Sequence, residues 1–547
     1  MLGCASANGG APEDASPAPA RGGRELSAEQ QAWQALSRAA FGPRPGDVAH
    51  VEAVGVDRWI DAQLHPAGVN DAAWERIAPL FPVEGADLAR LAHDYPPQNV
   101  WLQRLRRARG LPDTAQLVLT AQDSAEWKTL DATGNRLAGE LGPVRVARAL
   151  VTDRQLQEVM TDFWENHFSV FSGKMPNRFA LAAYDRDVIR PRALGRFRDL
   201  LGAVAHSPAM LWYLDGYQSR VAPERMSLPE WRADSAARAA RRPPPRRGRR
   251  GAGLNENYGR ELLELHTLGV DGGYTQQDVG DVARALTGWT LATPQEGGGF
   301  VFRPELHDAE PKLVLGRRLP PGRGVEDGEE VLDVVAQHPS TARFIARKLC
   351  VRFVGDAPPP ALVARAAATF RSSDGDVAAT LGTILHSPEF YSRQTYRAKV
   401  KTPFELVVSG LRALNATPDT TGRSAAQVAR LGEPFFGRLT PDGWPETGEP
   451  WLASGSLLDR VNFGLQLGAG RFPGASLDRW SPGWTLAFEQ PSRQVDGVVR
   501  LLLGGDVAPA TRAQLLGPAA PDSVRAAPLP LASLVGLALG TPEFQRR

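Results

Sequence analysis

The chain of 547 residues is 42% hydrophobic and 23% charged, which is typical of a soluble globular protein large enough for two or more lobes. Its formal net charge of +2 conceals one basic segment: residues 232–250 hold eight Arg and one acidic residue, and the remainder is net negative. This distribution speaks against nucleic-acid binding by the folded part. The two Cys, Cys4 and Cys350, exclude a disulfide framework and a Cys-based zinc site, and no apolar run is long enough for a transmembrane helix.

Residues 1–26 predict a disordered tether or the remnant of an export signal. Met1-Leu-Gly-Cys4 resembles the last residues of a bacterial lipoprotein signal, in which a small residue precedes the lipidated Cys. The charged and apolar regions that normally precede such a Cys are missing, so two interpretations stay open: a start codon placed too late, or coincidence. In the first interpretation Cys4 carries a lipid anchor, which would be the chain's only membrane contact.

Helical patterns dominate the chain from Ser27 onward. Ser27 is a suitable N-cap for an amphipathic helix that ends at Gly42, and residues 56–64 form a further helix that Pro66 stops. Residues 100–168 are mostly helical by pattern. We therefore predict a mainly α, multi-helix globular protein with two helical lobes.

The exceptions to the helical pattern are few. Alternation typical of strands occurs at 299–302 and 312–316, which predicts one small β-hairpin within residues 299–316. The Arg- and Pro-rich stretch 232–253 predicts a disordered insertion. The resulting parts are an N-terminal helical part (27–231), a central helical part (254–413) that contains a polar helix at 255–268, and a Trp-rich C-terminal helical part (425–547).

A weak internal repeat supports the helical interpretation. Residues 201–208, 381–388 and 535–542 each read as the end of one helix, a Ser or Thr cap, and a Pro in the next first turn. His206 and His386 would then lie at helix C-termini, where the partial negative charge of the helix favours His. Duplicated helical units and convergent capping chemistry explain the repeat equally well.

The polar helix at 255–268 is the first candidate for a functional site. It concentrates two Asn, three Glu, an Arg and a His among enough Leu to be buried. Buried ionisable groups are costly unless they are paired, hydrogen-bonded or bound to a metal. On a regular helix Asn257, Glu261 and Glu264 share one face, whereas His266 points away. One helix therefore cannot bring that His and both Glu to a single metal ion.

A second helix offers the missing partner, because His167 lies on the apolar stripe of residues 155–168. A His in such a position is usually a hydrogen-bonded core residue. In the functional alternative His167 meets Asn257 and Glu261 across a helix pair. Glu261 is then a base or ligand, His167 a ligand or proton carrier, and Asn257 a residue that positions substrate.

Nitrogen and oxygen donors of this kind would suit a divalent transition metal. The candidate ligands are His167, Glu261, Glu264, His307 and Asp308, the last two lying between the predicted strands. None of the spacings matches the HExxH motif, the paired ExxH of di-iron bundles, GxSxG, a P-loop or a dinucleotide fingerprint. The metal assignment therefore stays an alternative to a structural hydrogen-bond network.

Taken together, these motifs resemble an uncharacterised bacterial family catalogued as domain of unknown function 1800. The matching segments run in order along the chain: 36–42, 163–168, 207–215, 255–275, 285–289, 307–308, 338–344, 399–403 and 442–445. The resemblance implies an exported, periplasmic, envelope-associated or extracellular protein of mostly helical fold. It also implies a secreted sulfatase- or phosphatase-like partner, since genes of that kind often neighbour this family. The Arg-rich insertion departs from the family pattern.

Two functions follow as expectations. The first is an exported, enzyme-like protein whose His167/Asn257/Glu261 site carries out oxidative or hydrolytic chemistry on an envelope or extracellular compound. The second is a non-catalytic scaffold that holds a secreted partner or a surface polymer, in which the polar helix is a satisfied structural network. An open pocket over Glu261 would favour the enzyme, and a closed, fully paired network would favour the scaffold.

Overall fold

The computed structural model describes residues 23–243, 253–293, 298–486, 489–517 and 528–547. Helices make up most of these ranges, so the predicted mainly α fold is confirmed. Residues 23–26, predicted as part of the tether, belong to the described ranges, and the guanidinium of Arg24 pairs with Asp57 at 2.6 Å. The rest of the predicted tether, including Cys4, lies outside the described residues.

The first third of the chain is helical, and the prediction that residues 100–168 are mostly helical is confirmed. Ser27 caps the first helix, and its side chain and that of Gln30 each bond the other's backbone N–H in a capping box. The bounds are α1 (Ala28–Arg38), α2 (Asp47–Val54), α3 (Val56–Leu64), α4 (Ala72–Ile77), α5 (Pro82–Gly85), α6 (Leu88–Asp94), α7 (Gln98–Ala108), α8 (Ala121–Ala138), α9 (Leu141–Val151) and α10 (Gln155–His167).

The middle of the chain contains two π-helical segments, Tyr184–Ile189 and Leu262–Thr267, among ordinary helices. The second directly continues the helix that begins at Asn257. The α-helices here are α11 (Ala180–Ala183), α12 (Phe197–Ala205), α13 (Pro208–Tyr213), α14 (Leu228–Ala239), α15 (Asn257–Glu261), α16 (Gln276–Ala285), α17 (Glu326–Gln337), α18 (Pro339–Phe353), α19 (Pro360–Ser372) and α20 (Val377–Leu385).

The C-terminal part is likewise helical in its described ranges. Its bounds are α21 (Pro403–Ala413), α22 (Arg423–Arg430), α23 (Ser454–Gly468), α24 (Ser481–Leu486), α25 (Pro491–Leu503), α26 (Pro509–Leu516), α27 (Leu531–Gly540) and α28 (Pro542–Gln545). Across the described ranges, no helix combines the length and the apolar character needed to cross a bilayer.

Both predicted strand segments are confirmed, but they pair with other strands and not with each other. Strand β1 (Trp289–Leu291) pairs with β2 (Phe300–Phe302), and β3 (Lys312–Val314) pairs with β4 (Arg317–Leu319), both antiparallel. The reason is local: Leu315 and Gly316 have φ of 50° and 81° and form a two-residue turn of the kind that closes tight hairpins. β3 therefore pairs with β4, the strand that follows it directly in the chain.

The predicted disordered insertion at 232–253 is wrong for its first part. α14 runs to Ala239, because a capping box between Ser227 and Glu230 starts it and an Ala-rich sequence continues it. Asp234 pairs with Arg238 one turn later, at 2.8 Å. Residues 244–252 of the insertion lie outside the described ranges.

One contiguous apolar core reaches from Leu26 to Phe544 and draws on all three predicted helical parts. The two lobes expected from the chain length therefore share a core. α10 passes through its centre, with the side chains of Leu156, Phe163 and Trp164 fully buried. The polar residues of α10 are consequently fixed by apolar packing on either side.

The internal repeat corresponds to a pair of matching helix corners. Phe197 N–H donates to the carbonyl of Gly375 at 2.8 Å, and Val377 N–H donates to Gly195 at 3.0 Å, so α12 and α20 start side by side. His206 and His386 follow directly after these helices, as predicted. The caps also match: the side chains of Ser207, Ser387 and Thr541 each accept a backbone N–H of the next helix.

Glycines permit the close packing of α23 against α27. A Cβ atom added at Gly468 would lie 2.5 Å from the backbone N of Gly536 and 2.6 Å from the carbonyl oxygen of Ala532. Backbone atoms cannot rotate away as a flexible side chain can. By contrast, a Cβ added at Gly455, near the start of α23, meets no atom within 4 Å.

We predict that Gly468→Ala lowers the free energy of unfolding by about 2 kcal/mol, because it forces two helix backbones apart. Gly455→Ala is the matched control in the same helix and should be neutral or stabilising by up to about 1 kcal/mol. Urea unfolding followed by circular dichroism measures both changes. Equal stability of the two variants would contradict the close approach of α23 and α27.

Candidate functional site

The strongest concentration of buried charge surrounds α10. Glu158, Asp162 and Glu165 follow at spacings of four and three and therefore lie on one face of this helix. Glu158 and Glu165 are buried and Asp162 is half-buried, and guanidinium groups from other elements pair with all three. Arg145 of α9 places Nη2 at 3.0 Å from Asp162 and at 2.6 Å from Glu165. Paired in this way, the charges avoid the full cost of desolvation.

Asp162 also links α10 to the other half of the chain. Its second oxygen lies 3.0 Å from Nη2 of Arg352, the penultimate residue of α18. The same nitrogen lies 3.1 Å from Glu405 of α21, and Nη1 lies 3.4 Å from Glu446. Arg352 thus forms ion pairs with three carboxylates that belong to separate parts of the sequence.

Asn166 clamps the loop that follows α22. Its Nδ2 donates to the carbonyl of Trp444 at 2.9 Å, and its Oδ1 accepts the Trp444 N–H at 2.6 Å. Gly443 makes this approach possible: it has φ of 75°, and a Cβ there would lie 2.2 Å from the Asn166 carbonyl oxygen. Two family-like segments, 163–168 and 442–445, therefore meet directly.

A cleft lies between this loop, α10, α18 and the start of α21. The space open to the centres of water molecules is about 40 Å³, enough for a few waters. Three guanidinium groups line it, those of Arg145, Arg352 and Arg438. Four carboxyl groups line it as well, those of Asp162, Glu165, Glu433 and Glu446, together with Asn166 and Trp444. We call this the charged cleft.

The carboxyl groups of the charged cleft differ in proton affinity. Burial, reinforced by the charge of Asp162, raises the pKa of Glu433 to about 8. Burial also raises the pKa of Glu165 well above its usual range against the pull of Arg145. For Glu446 the positive charges of Arg352 and Lys399 outweigh burial and hold its pKa below the usual value. Neutral and ionised carboxyl groups therefore share one cleft at neutral pH.

His167 lies on the other side of α10, against the π-helical segment Leu262–Thr267. Its Nε2 is 3.0 Å from the carbonyl oxygen of His266, so this nitrogen carries the proton and donates it. Its Nδ1 then accepts from Nζ of Lys348 at 2.9 Å. Burial, followed by the charge of Lys348, lowers the pKa of His167 well below its usual value, and the imidazole is neutral.

The sequence thus correctly placed His167 beside the polar helix but named the wrong partner. The error has a physical cause. The buried face of this segment holds Tyr258, Leu262 and His266, which follow at spacings of four. His266 is fully buried, whereas Asn257 is exposed and Glu261 and Glu264 are half-buried. Glu264 accepts a hydrogen bond from the Tyr274 hydroxyl at 3.3 Å.

His307 and Asp308 belong to a separate buried network. His307 Nδ1 donates to the carbonyl of Thr287 at 2.8 Å, and Asp308 accepts from Arg284 at 2.8 and 3.2 Å. Lys312 joins them to Asp327 at 2.7 Å. Within the described ranges, no three or more His, Cys, Asp or Glu side chains are grouped so as to hold a metal ion. The predicted ligand set is therefore not brought together.

The residues that line the charged cleft were missed as site residues, although the sequence carried a partial signal. Glu165 and Asn166 stand beside His167 in segment 163–168, and Glu446 directly follows 442–445. Arg145, Arg352 and Glu433 carried no such signal, because their role depends on contacts between distant parts of the chain.

We predict that Gly443→Ala disrupts the Asn166 clamp, because a methyl group cannot fit against the α10 carbonyl. Gly432→Ala is the matched control: Gly432 also has a positive φ, 105°, but no atom lies within 4 Å of its added Cβ. Both variants strain the backbone, and Gly443→Ala should cost about 2 kcal/mol more in the free energy of unfolding. Equal costs in denaturant titration would show that Trp444 is not held against α10.

Comparisons with known proteins give one match. No curated protein and no solved structure matches the chain significantly. The model of the family described as "Protein of unknown function (DUF1800)" matches residues 34–546, which is nearly the whole sequence and includes every residue of the charged cleft. The chain therefore belongs to the DUF1800 family.

Proposed function

We propose that this protein is an exported enzyme that uses acid–base chemistry in the charged cleft to hydrolyse an envelope or extracellular compound. The observation that carries the proposal is the placement of Glu433 and Glu446 on one water-sized cleft, beside a guanidinium-paired Asp162. Export itself rests on the family resemblance and on the Cys4 segment.

The two carboxyl groups suit opposite roles. Glu433 keeps its proton at neutral pH and can protonate a leaving group, whereas Glu446 is ionised and can accept a proton from water. Groups whose surroundings push their pKa values apart are the usual basis of an acid and base pair. Arg438, half-buried at the same cleft, can stabilise negative charge that develops on the substrate.

The cleft does not lie where the sequence predicted it. Its lining comes from α10 and the loop 433–446 and does not include Glu261. A site at His167, Asn257 and Glu261 is therefore no longer part of the proposal. A transition metal has no role in this proposal, and elemental analysis of the chelator-washed protein tests whether one is bound.

The scaffold remains the second candidate, and one observation favours it. Each carboxylate of Asp162, Glu405 and Glu446 lies within 3.4 Å of the Arg352 guanidinium, as expected of a satisfied structural network. In that case the protein would hold a secreted sulfatase- or phosphatase-like partner without performing chemistry of its own.

The proposal predicts that Glu433→Gln lowers kcat by about a hundredfold or more, the usual contribution of general acid catalysis. Gln keeps the oxygen that accepts the Phe404 N–H at 2.8 Å, so the start of α21 is preserved. Turnover of 4-methylumbelliferyl glycosides, esters, phosphates and sulfates provides the assay. In the wild type the rate should fall as the pH rises through about 8.

Glu264→Gln is the matched control, because Glu264 is half-buried on the polar helix and outside the lining of the cleft. The kcat of this variant should stay within about twofold of the wild-type value. Replacing a catalytic acid would lower kcat far more. Equal rates for Glu433→Gln and the wild type would contradict acid–base catalysis here. A binding partner recovered without any turnover would favour the scaffold.

A further inference from the structure

Lysine is rare in this chain and is used selectively. Of the 63 Lys and Arg residues, six are Lys and 57 are Arg, so almost every surface cation is an arginine. Three of the six, Lys312, Lys399 and Lys401, are buried, and Lys348 is half-buried. The retained lysines are therefore concentrated where the side chain is partly or wholly withdrawn from water.

An amine can do what a guanidinium cannot. Arg stays protonated at every accessible pH, whereas a desolvated Lys releases its proton and becomes a nucleophile. A chain that otherwise uses Arg keeps Lys at a buried position either for its compact shape or for this reactivity. The contacts of each buried lysine separate the two reasons.

Lys312 and Lys399 have structural contacts. Nζ of Lys312 donates to two carbonyls and to the carboxylate of Asp327 at 2.7 Å. Nζ of Lys399 donates to Asp356 at 2.6 Å and to the carbonyl of Glu446 at 2.8 Å. Lys401 places its ammonium 3.8 Å from the ring centre of Phe544. Each of these contacts favours a charged ammonium group, although burial lowers the pKa of Lys399 to about 8 and that of Lys401 to about 7.

Lys348 differs because it donates to Nδ1 of a neutral histidine, His167, at 2.9 Å. The direction of this bond is fixed, since Nε2 of His167 donates to the carbonyl of His266. A neutral acceptor stabilises an ammonium group less than a carboxylate does. Burial lowers the pKa of Lys348 to about 8, against the opposing charges of Glu446 and Asp442.

Lys348 also lies beside the charged cleft. It precedes Arg352 by four residues on α18, which places both on one face of the helix, and Arg352 lines the cleft. The two acidic residues that act on its charge belong to the loop that covers the cleft. Lys348 is half-buried, whereas Lys312, Lys399 and Lys401 are buried, so of these four lysines it is the one whose side chain reaches solvent.

We propose that Lys348 is a nucleophilic amine that captures an aldehyde or ketone as an imine, with His167 orienting the amine through its Nδ1. The Nζ lone pair forms a bond to the carbonyl carbon, the π pair moves to the carbonyl oxygen, and one N–H proton passes through water to that oxygen to give a carbinolamine. The hydroxyl group then takes up a second proton from solvent and leaves as water while the nitrogen lone pair forms the C=N bond, and the remaining N–H proton returns to solvent. One carbonyl compound and one amine thus give one imine and one water, with no oxidant or further reactant.

Reductive trapping tests this directly on the intact wild-type protein. Benzaldehyde and sodium cyanoborohydride at pH 7 convert each imine to a stable benzylamine, and digestion with mass spectrometry gives the labelled fraction at each lysine. Lys348 should be labelled at least about tenfold faster than the exposed Lys128, because withdrawal from water favours the neutral, nucleophilic form of an amine. Equal labelling, or faster labelling of Lys128, would overturn the proposal.

Two variants separate the orienting role of His167 from simple exposure. His167→Gln should slow labelling of Lys348 severalfold while Lys128 is unchanged, provided that circular dichroism shows a folded protein. Lys348→Arg keeps the positive charge and should abolish only the fast label. Labelling also distinguishes this proposal from cleft hydrolysis, because Glu433→Gln removes the proposed acid but leaves the amine and should retain fast trapping.

Discussion

The bridge that Asp162 forms between Arg145 and Arg352 is the constraint on which the rest of the site depends. It joins α9, α10 and α18, and through Arg352 it reaches Glu405 and Glu446. Buried ion pairs seldom stabilise a fold more than apolar side chains of the same size would. Their presence at the centre of an apolar core therefore calls for a purpose such as specific packing or chemistry.

The same bridge accounts for the two faces of α10. Apolar residues fix the helix axis, the carboxylates turn towards the charged cleft, and His167 turns towards Lys348 and the π-helical segment. Asn166 lies between these faces and holds the covering loop by two hydrogen bonds to Trp444. α10 thus presents carboxyl groups on one side. On the other side it presents the neutral imidazole of His167, which contacts the amine of Lys348 on α18.

Much of the fold could be predicted because its signals are local. Ser27 and Ser207 cap the helices that follow them, and the mainly α class follows from spacing alone. The site could not be predicted as fully. His266 shares the buried face of its segment with Tyr258 and Leu262, but no pattern showed that His167 would bond to the backbone carbonyl of this residue. Arg145, Arg352 and Glu433 come to one cleft only after folding, and no local pattern marks them.

The proposed chemistry requires a neutral and an ionised carboxyl group in the charged cleft. Carbon-13 NMR of the glutamate carboxyl groups, titrated from acid to alkaline pH and assigned with Glu433→Gln, measures both protonation states. We expect the Glu433 signal to titrate near pH 8 and the Glu446 signal to titrate below the usual glutamate range. A Glu433 signal that titrates near the ordinary value of about 4.3 would contradict it.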